Sequence, residues 1–167
     1  MKILGVCGSL QARSANLTLL HTAVALAPAG VEIVVYDGIR DLPLFNPDLE
    51  EGGAPPSVAA WRQAIATSDA LLIAAPEYGH SLPGALKNAI DWVIGSGELE
   101  CKVIAVTAST PGVERGRLGL QALKVTLGAV KARIVGGEPI VRGASSTRDL
   151  EALLNELVAV AAQAAPG

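Results

Sequence analysis

The chain predicts an α/β fold: an open, doubly wound parallel sheet of five strands in the order 2-1-3-4-5, sandwiched between two helical layers. Three observations carry this expectation. Apolar strand-like runs alternate with helical patterns along the whole chain. Three of those runs are nearly continuous hydrophobics, as parallel strands covered on both faces must be. The other two carry the marks of sheet edges. The 167 residues are half apolar and only 17% charged, which excludes disorder and allows one core without disulfide or metal staples. A single domain over 1-167 is expected.

The continuous runs are Ile3–Cys7, Ala70–Ala75 and Val103–Thr107. Val31–Tyr36 contains Glu32 and reads as an edge strand. Ile134–Val141 is the fifth strand, interrupted by Gly136, Gly137 and Pro139, so it too belongs at an edge or carries a bulge. Helices are expected at 14–28, 57–68, 83–95, 115–130 and 147–163. The last is the clearest, since Leu150, Leu153, Leu154, Leu157, Val158 and Ala161 fall on one face. Ser146 and Asp149 have capping-box spacing, and Pro83 suits the first turn of the third helix. Right-handed crossovers with edge strands 2 and 5 select the order 2-1-3-4-5; the order 3-2-1-4-5-6 needs a strand more than the chain offers. The Pro-, Gly- and acid-rich segment from Asp37 to Pro56 reads as one long loop, a lid or a surface feature.

Composition removes several function classes. A net charge of −3 supplies no basic excess to neutralise a row of phosphates, and 3% aromatics leaves few rings for stacking bases, so nucleic acid is not an expected partner. Cys7 and Cys101 are far apart and form no C-x-x-C pair, so both read as buried, reduced thiols. With His21 and His80 also far apart, no metal site is expected. No apolar stretch reaches ten residues, which is too short to cross a bilayer, and the N-terminal run lacks the length of a signal peptide. A cytoplasmic location is the default.

Ligands of such sheets bind beyond the C-terminal ends of the strands, at the switch point between strands 1 and 3. The loop after strand 1 runs Gly8-Ser9-Leu10-Gln11-Ala12-Arg13-Ser14-Ala15-Asn16 into a helix N-terminus. Free N–H groups and the helix dipole favour an anion there, and Ser9, Ser14, Asn16 and Arg13 can add hydrogen bonds. The plainer reading is a polar turn with Ser14 as helix cap. Neither G-x-G-x-x-G nor G-x-x-x-x-G-K-[ST] is present. The loop after strand 3 is Pro76-Glu77-Tyr78-Gly79-His80-Ser81-Leu82-Pro83-Gly84, where Tyr78 offers a ring face to a planar ligand. Lys87 and Asp91 are spaced for a helical salt bridge, and Leu86, Ile90 and Val93 read as core or subunit contact. After strand 4, Thr107–Gly112 is small and polar, able to approach a ring closely.

Two segments, GSLQARSAN and PEYGHSLPGALKNAIDW, resemble the NAD(P)H-dependent FMN reductases, a flavodoxin-like family that includes quinone, azo-dye and chromate reductases. The family pattern is roughly GSLRxxSxN after strand 1 and PEYNxSxPGxLKNAIDW after strand 3. The resemblance implies a flavodoxin-like fold and FMN as cofactor, with Ser9, Gln11, Arg13, Ser14 and Asn16 at the phosphate. It implies Pro76, Glu77, Tyr78 and Gly79 along the isoalloxazine, with Ser109 and Gly112 from the loop after strand 4. Tyr78 and His80 would shape the acceptor pocket. No side chain is assigned a catalytic role, because position and electrostatics are what such a protein supplies. NADPH or NADH would deliver a hydride to the flavin and leave, and a small-molecule acceptor would then take the electrons, a ping-pong scheme. The family also implies a homodimer or homotetramer. Two positions depart from the pattern. Gln11 stands where Arg is usual, removing a charge that Arg13 is placed to replace, and Gly79 stands for Asn.

Two other readings compete. Cys7 through Ser14 fits C-x5-R-S, the phosphate loop of low-molecular-weight tyrosine phosphatases, with Cys7 as nucleophile and Arg13 on the phosphoryl oxygens. That chemistry also needs a general acid, usually an Asp-Pro late in the chain, and none occurs here. A flavodoxin-type electron carrier would bind FMN without oxidising NAD(P)H, but carriers are usually more acidic than −3.

Overall fold

The computed structural model describes residues 1–164. Strands β1 (Lys2–Cys7), β2 (Glu32–Tyr36), β3 (Ala70–Ala74), β4 (Val103–Thr107) and β6 (Arg133–Gly136) form one parallel sheet in the order β2-β1-β3-β4-β6. This is the expected order, renumbered because a short strand β5 (Ser109–Thr110) intervenes. Every residue of β3 and β4 is buried, whereas β2 and β6 both carry exposed residues, as the edge positions require.

Helices α1 (Ala15–Ala25) and α6 (Ser146–Ala164) cover one face of the sheet. Helices α3 (Pro56–Ala66), α4 (Gly84–Asp91) and α5 (Arg117–Ala129) cover the other. Alternation along the central strands feeds both layers: Ile3, Leu72 and Ala105 face α1 and α6, while Leu4, Leu71 and Ile104 face α3–α5. Both tryptophans, Trp61 and Trp92, fill the second layer; the first is built from aliphatic side chains. Aliphatics suffice because each fully buried Leu, Ile or Val contributes about 1.5–3 kcal/mol. Leu86, Ile90 and Val93 are buried core, and Lys87 pairs with Asp91 at 2.6 Å, both as expected.

Several expectations need correction. The run Ile134–Val141 is two strands. Gly136 and Gly137 take φ of +67° and +108°, which turns the chain out of the sheet, and Pro139 lacks a ladder donor. Beyond them β7 (Ile140–Val141) pairs in parallel with β5, away from the main sheet. The expected helices are longer than those observed at 15–25, 56–66, 84–91 and 117–129; α4 in particular stops at Asp91. The capping box does not form. Ser146 Oγ donates to Gly143 O (2.7 Å), and the Asp149 N–H bonds to Ser145 O (3.0 Å). Pro83 caps α4 from outside, the helix opening at Gly84. Cys7 is buried, but Cys101 is exposed in a turn with φ +60°.

The segment 37–56 is structured. It holds a 3₁₀ turn at Gly38–Asp41 and a short helix α2 (Asp48–Glu51). Asn88 and Trp92 of the α4 region tie it down. Asn88 Nδ2 and Trp92 Nε1 both donate to Pro43 O (2.9 and 2.8 Å), and the Phe45 N–H donates to Asn88 Oδ1 (2.8 Å). The Phe45 ring meets Trp92 edge-on at 5.1 Å.

Candidate functional site

The C-terminal ends of β1, β3 and β4 lie side by side, because Cys7, Ala74 and Thr107 are in register. The loop from β1 to α1 is organised by two serines. Ser14 caps α1, its Oγ accepting from the Asn16 N–H at 3.2 Å. Ser9 Oγ accepts from the Gln11 N–H at 3.2 Å. Both serines are buried, as is Asn16. The backbone N–H groups of Ser9, Leu10, Ala12 and Arg13 have no acceptor among the described residues. Four free donors thus precede the 11-residue helix. The helix cap at Ser14 is as expected.

The loop from β3 to α4 is a tight hairpin-like turn. Tyr78 and Ser81 exchange backbone hydrogen bonds at 3.0 Å, with Gly79 and His80 between them at φ +57° and +60°. Two consecutive positive φ values define a type I′ turn, which glycine enters without steric cost and asparagine enters readily. Gly79 therefore keeps the turn that the family's Asn would make, while removing its side-chain amide. His80 carries the strain instead. Its Nδ1 lies 3.3 Å from Glu77 Oε1.

Glu77 Oε2 accepts the Gly119 N–H of α5 at 3.0 Å. That helix has no side-chain cap of its own at Gly116, so Glu77 satisfies it from another loop. The Gly119 and Leu118 N–H groups and His80 hold the Glu77 carboxyl below its ordinary range, the Gly119 bond contributing most. A Cβ on Gly119 would lie 3.0 Å from Glu77 Cα and 3.1 Å from Ser81 O. Helix α5 thus packs directly on the loop, and any side chain at 119 would have to push the loop back by a few tenths of an ångström.

The loops meet at defined atoms. The Tyr78 hydroxyl is 3.4 Å from Ser9 Oγ, with the tyrosine about half exposed at the rim. Asn16 Oδ1 accepts the Ser109 N–H at 2.8 Å, so this buried amide ties α1 to the loop after β4. The β5–β7 ribbon braces that loop from behind. Ser9, Ser14, Asn16, Tyr78 and Ser109 are therefore brought together. Pro76 and Gly79 lie in the loop that carries Tyr78, and Gly112 lies further along the β4 loop; a Cβ on either glycine would meet open space.

Three expected residues point elsewhere. The Glu77 side chain is committed to α5, leaving its backbone to the cleft. His80 is exposed and lines a shallow groove between α4 and α5 rather than the space beside Ser9. Arg13 lines a groove between α1 and α6, whereas Gln11 borders a different one with Cys7, Tyr36 and Arg40. The sequence reading missed Gly119 and Arg142. A glycine inside a helix costs about 1 kcal/mol against alanine, so Gly119 was a signal of close approach. Arg142 had no local signal, because a fold-level turn brings it beside α1.

Fold and loops together define a flavodoxin-type α/β protein with free backbone donors ahead of its first helix and an aromatic loop one strand over. Residues 1–146 match the family model for NADPH-dependent FMN reductase, and the chain belongs to that family. It is 42% identical over 119 residues to an NAD(P)H-dependent FMN reductase of Pseudomonas aeruginosa, covering 71% of this chain and 63% of that protein. It is 35% identical over 119 residues to a quinone reductase of Escherichia coli, covering 70% and 63%. The chain spans less than two thirds of the length of these curated relatives. Among solved structures, FerB, a flavoenzyme NAD(P)H:(acceptor) oxidoreductase from Paracoccus denitrificans, superposes with a TM-score of 0.85 at 29% identity over 97% of both chains. An oxidised flavodoxin 1 from Bacillus cereus has a TM-score of 0.67 at 18% identity over 95% and 98% of the chains, a likeness of fold alone. No helix among the described residues is long and apolar enough to cross a membrane.

Proposed function

We propose that this chain is an NAD(P)H-dependent FMN reductase that passes electrons to a small diffusible acceptor of quinone type. The observation that carries the proposal is the cradle of free N–H donors from Ser9 to Arg13, set beside the Tyr78 phenol, in a chain of this family. FMN, when bound, supplies the hydride-accepting and electron-passing chemistry. Everything else is positioning. The free N–H groups and the Ser9 and Ser14 hydroxyls hold the phosphate, and Asn16 and Ser109 keep the first and third loops in register. The Pro76–Gly79 backbone, clamped by Glu77 to α5, sets one wall for a planar ring, and Tyr78 covers its rim. Gly112 leaves the wall from the β4 loop open enough for close approach.

Reductant and acceptor occupy the same open cleft in turn, giving ping-pong kinetics. The working form is a dimer or tetramer of this chain, a reading supported by exposed Leu118 and Val125 on α5. The phosphatase alternative is not favoured. Cys7 and Arg13 would have to converge on one phosphoryl group, yet they line different grooves on either side of the loop.

The test is the visible spectrum of the protein after mixing with FMN and gel filtration, repeated anaerobically with NADPH. A retained flavin band that bleaches supports the reductase. A retained band that persists makes the chain an electron carrier and overturns the reading. If no flavin is retained, acceleration of NADPH oxidation by free FMN supports a reductase that exchanges its flavin, and no acceleration overturns the proposal.

A further inference from the structure

A groove of about 400 Å³ lies between α1 and α6, beside the loop after β1. Its volume lies in the range of about 300–1,000 Å³ typical of small-molecule sites. Two guanidinium groups, Arg13 and Arg142, line it, with the hydroxyl-bearing residues Thr18, Ser109, Ser146 and Thr147. No Asp or Glu lines it, and neither arginine has a carboxylate within salt-bridge distance among the described residues. Arg40, Arg62, Arg117 and Arg148 each have an acidic partner, whereas Arg115 and Arg133 have none among the described residues but do not line the groove.

Two uncompensated guanidinium groups match a phosphate dianion in charge, and each can donate two parallel N–H bonds to its oxygens. Beneath them Leu19, Ile140 and Leu150 give the groove an apolar floor suited to the face of a purine. Arg142 is anchored for the task. Its N–H donates to Thr110 O (2.9 Å), which extends the β5–β7 ribbon that braces the flavin-side loop. Ser109 touches both the groove and Asn16, and Arg13 belongs to both the groove and the loop after β1, so the groove adjoins the cradle while Ser9, Gln11 and Tyr78 stay outside it.

We propose that this groove holds the 2′-phosphoadenosine end of NADPH and makes the chain prefer NADPH to NADH. The proposal rests on the reductase reading, because it assigns a place to that reaction's electron donor. It also gives Arg13 a role distinct from replacing the charge lost at Gln11.

Calorimetric titration with 2′,5′-ADP and with 5′-ADP tests the site without any redox turnover. Binding of 2′,5′-ADP at least about tenfold tighter than 5′-ADP is expected, with the difference abolished in Arg142→Ala. Arg142→Gln, close in length, is the second variant, and circular dichroism of both checks the fold. In steady-state assays either variant should raise KM for NADPH about tenfold while changing KM for NADH less than about twofold. Equal binding of the two nucleotides overturns the proposal. So does a variant that weakens FMN retention instead, since the groove would then belong to the flavin phosphate. Arg142-dependent binding of 2′,5′-ADP by a protein that oxidises neither NADPH nor NADH would leave the nucleotide groove standing and overturn the reductase reading alone.

Discussion

The loops after β1 and β3 stand side by side and are built on opposite plans. The β1 loop spends its side chains inward, on Ser14 capping α1 and Ser9 bonding Gln11, and leaves four backbone donors unsatisfied. The β3 loop spends its side chains outward, with Glu77 gripping α5, and closes its own backbone through the Tyr78–Ser81 turn. One loop is left polar and open, with its backbone donors free. The other is closed and braced against α5. Under the proposed function the first would bind and the second would shape the site, by backbone in one loop and by a tertiary clamp in the other.

Variants can separate the two jobs. The largest loss of stability is expected from Asn16→Ala, which leaves the Ser109 N–H without its acceptor in a buried setting and cuts the link between the loops. An unsatisfied buried donor costs about 1–3 kcal/mol, so thermal unfolding should fall by roughly 2–10 °C, with FMN affinity falling as well. Unchanged melting would mean that the two loops are independent. Ser14→Ala follows, at about 1 kcal/mol for the lost cap, and FMN fluorescence titration should show at least a tenfold weaker complex.

Gly119→Ala acts on the braced loop alone. The helix gains about 1 kcal/mol from alanine, while crowding against Glu77 and Ser81 costs about 1–3 kcal/mol, so stability should change little. FMN affinity should nevertheless drop, because the wall has moved. A variant that binds FMN as tightly as the parent would show that the clamp does not shape the site.

Acid pH tests the same clamp. The Glu77 carboxyl titrates below its ordinary value of 4.5, so its bond to α5 contributes fully above that value and is lost as pH falls through the lowered one. Flavin release monitored by fluorescence should therefore begin below about pH 4.5, and Glu77→Gln should flatten that dependence. The smallest effect belongs to Cys7→Ser. It should cost stability modestly and leave NADPH oxidation intact, whereas abolished activity would revive the nucleophile reading of the β1 loop.

Much of this was written locally. Three continuous apolar runs place β1, β3 and β4 in the centre, and Glu32 marks β2 as an edge, because a two-sided strand cannot carry a charge into either core layer. Ser14 as a cap and Lys87 with Asp91 as a pair were equally legible, since partners lie within one helical turn. The split of Ile134–Val141 was half legible: the glycines and proline signalled a break, but pairing with Ser109–Thr110 depends on a strand some 30 residues earlier. The Glu77–Gly119 clamp and the Asn16–Ser109 tie span 42 and 93 residues, and no local pattern encodes such contacts.

Periodicity, breakers and two loop segments were thus enough to fix the layers, the strand order and the neighbourhood of the site, because those follow from burial and local backbone geometry. The direction of each functional side chain was decided by packing. Arg13 lines the groove between α1 and α6, Glu77 serves α5, and Arg142 arrives beside α1, because long-range contacts choose among rotamers and turns that are nearly equal in local energy.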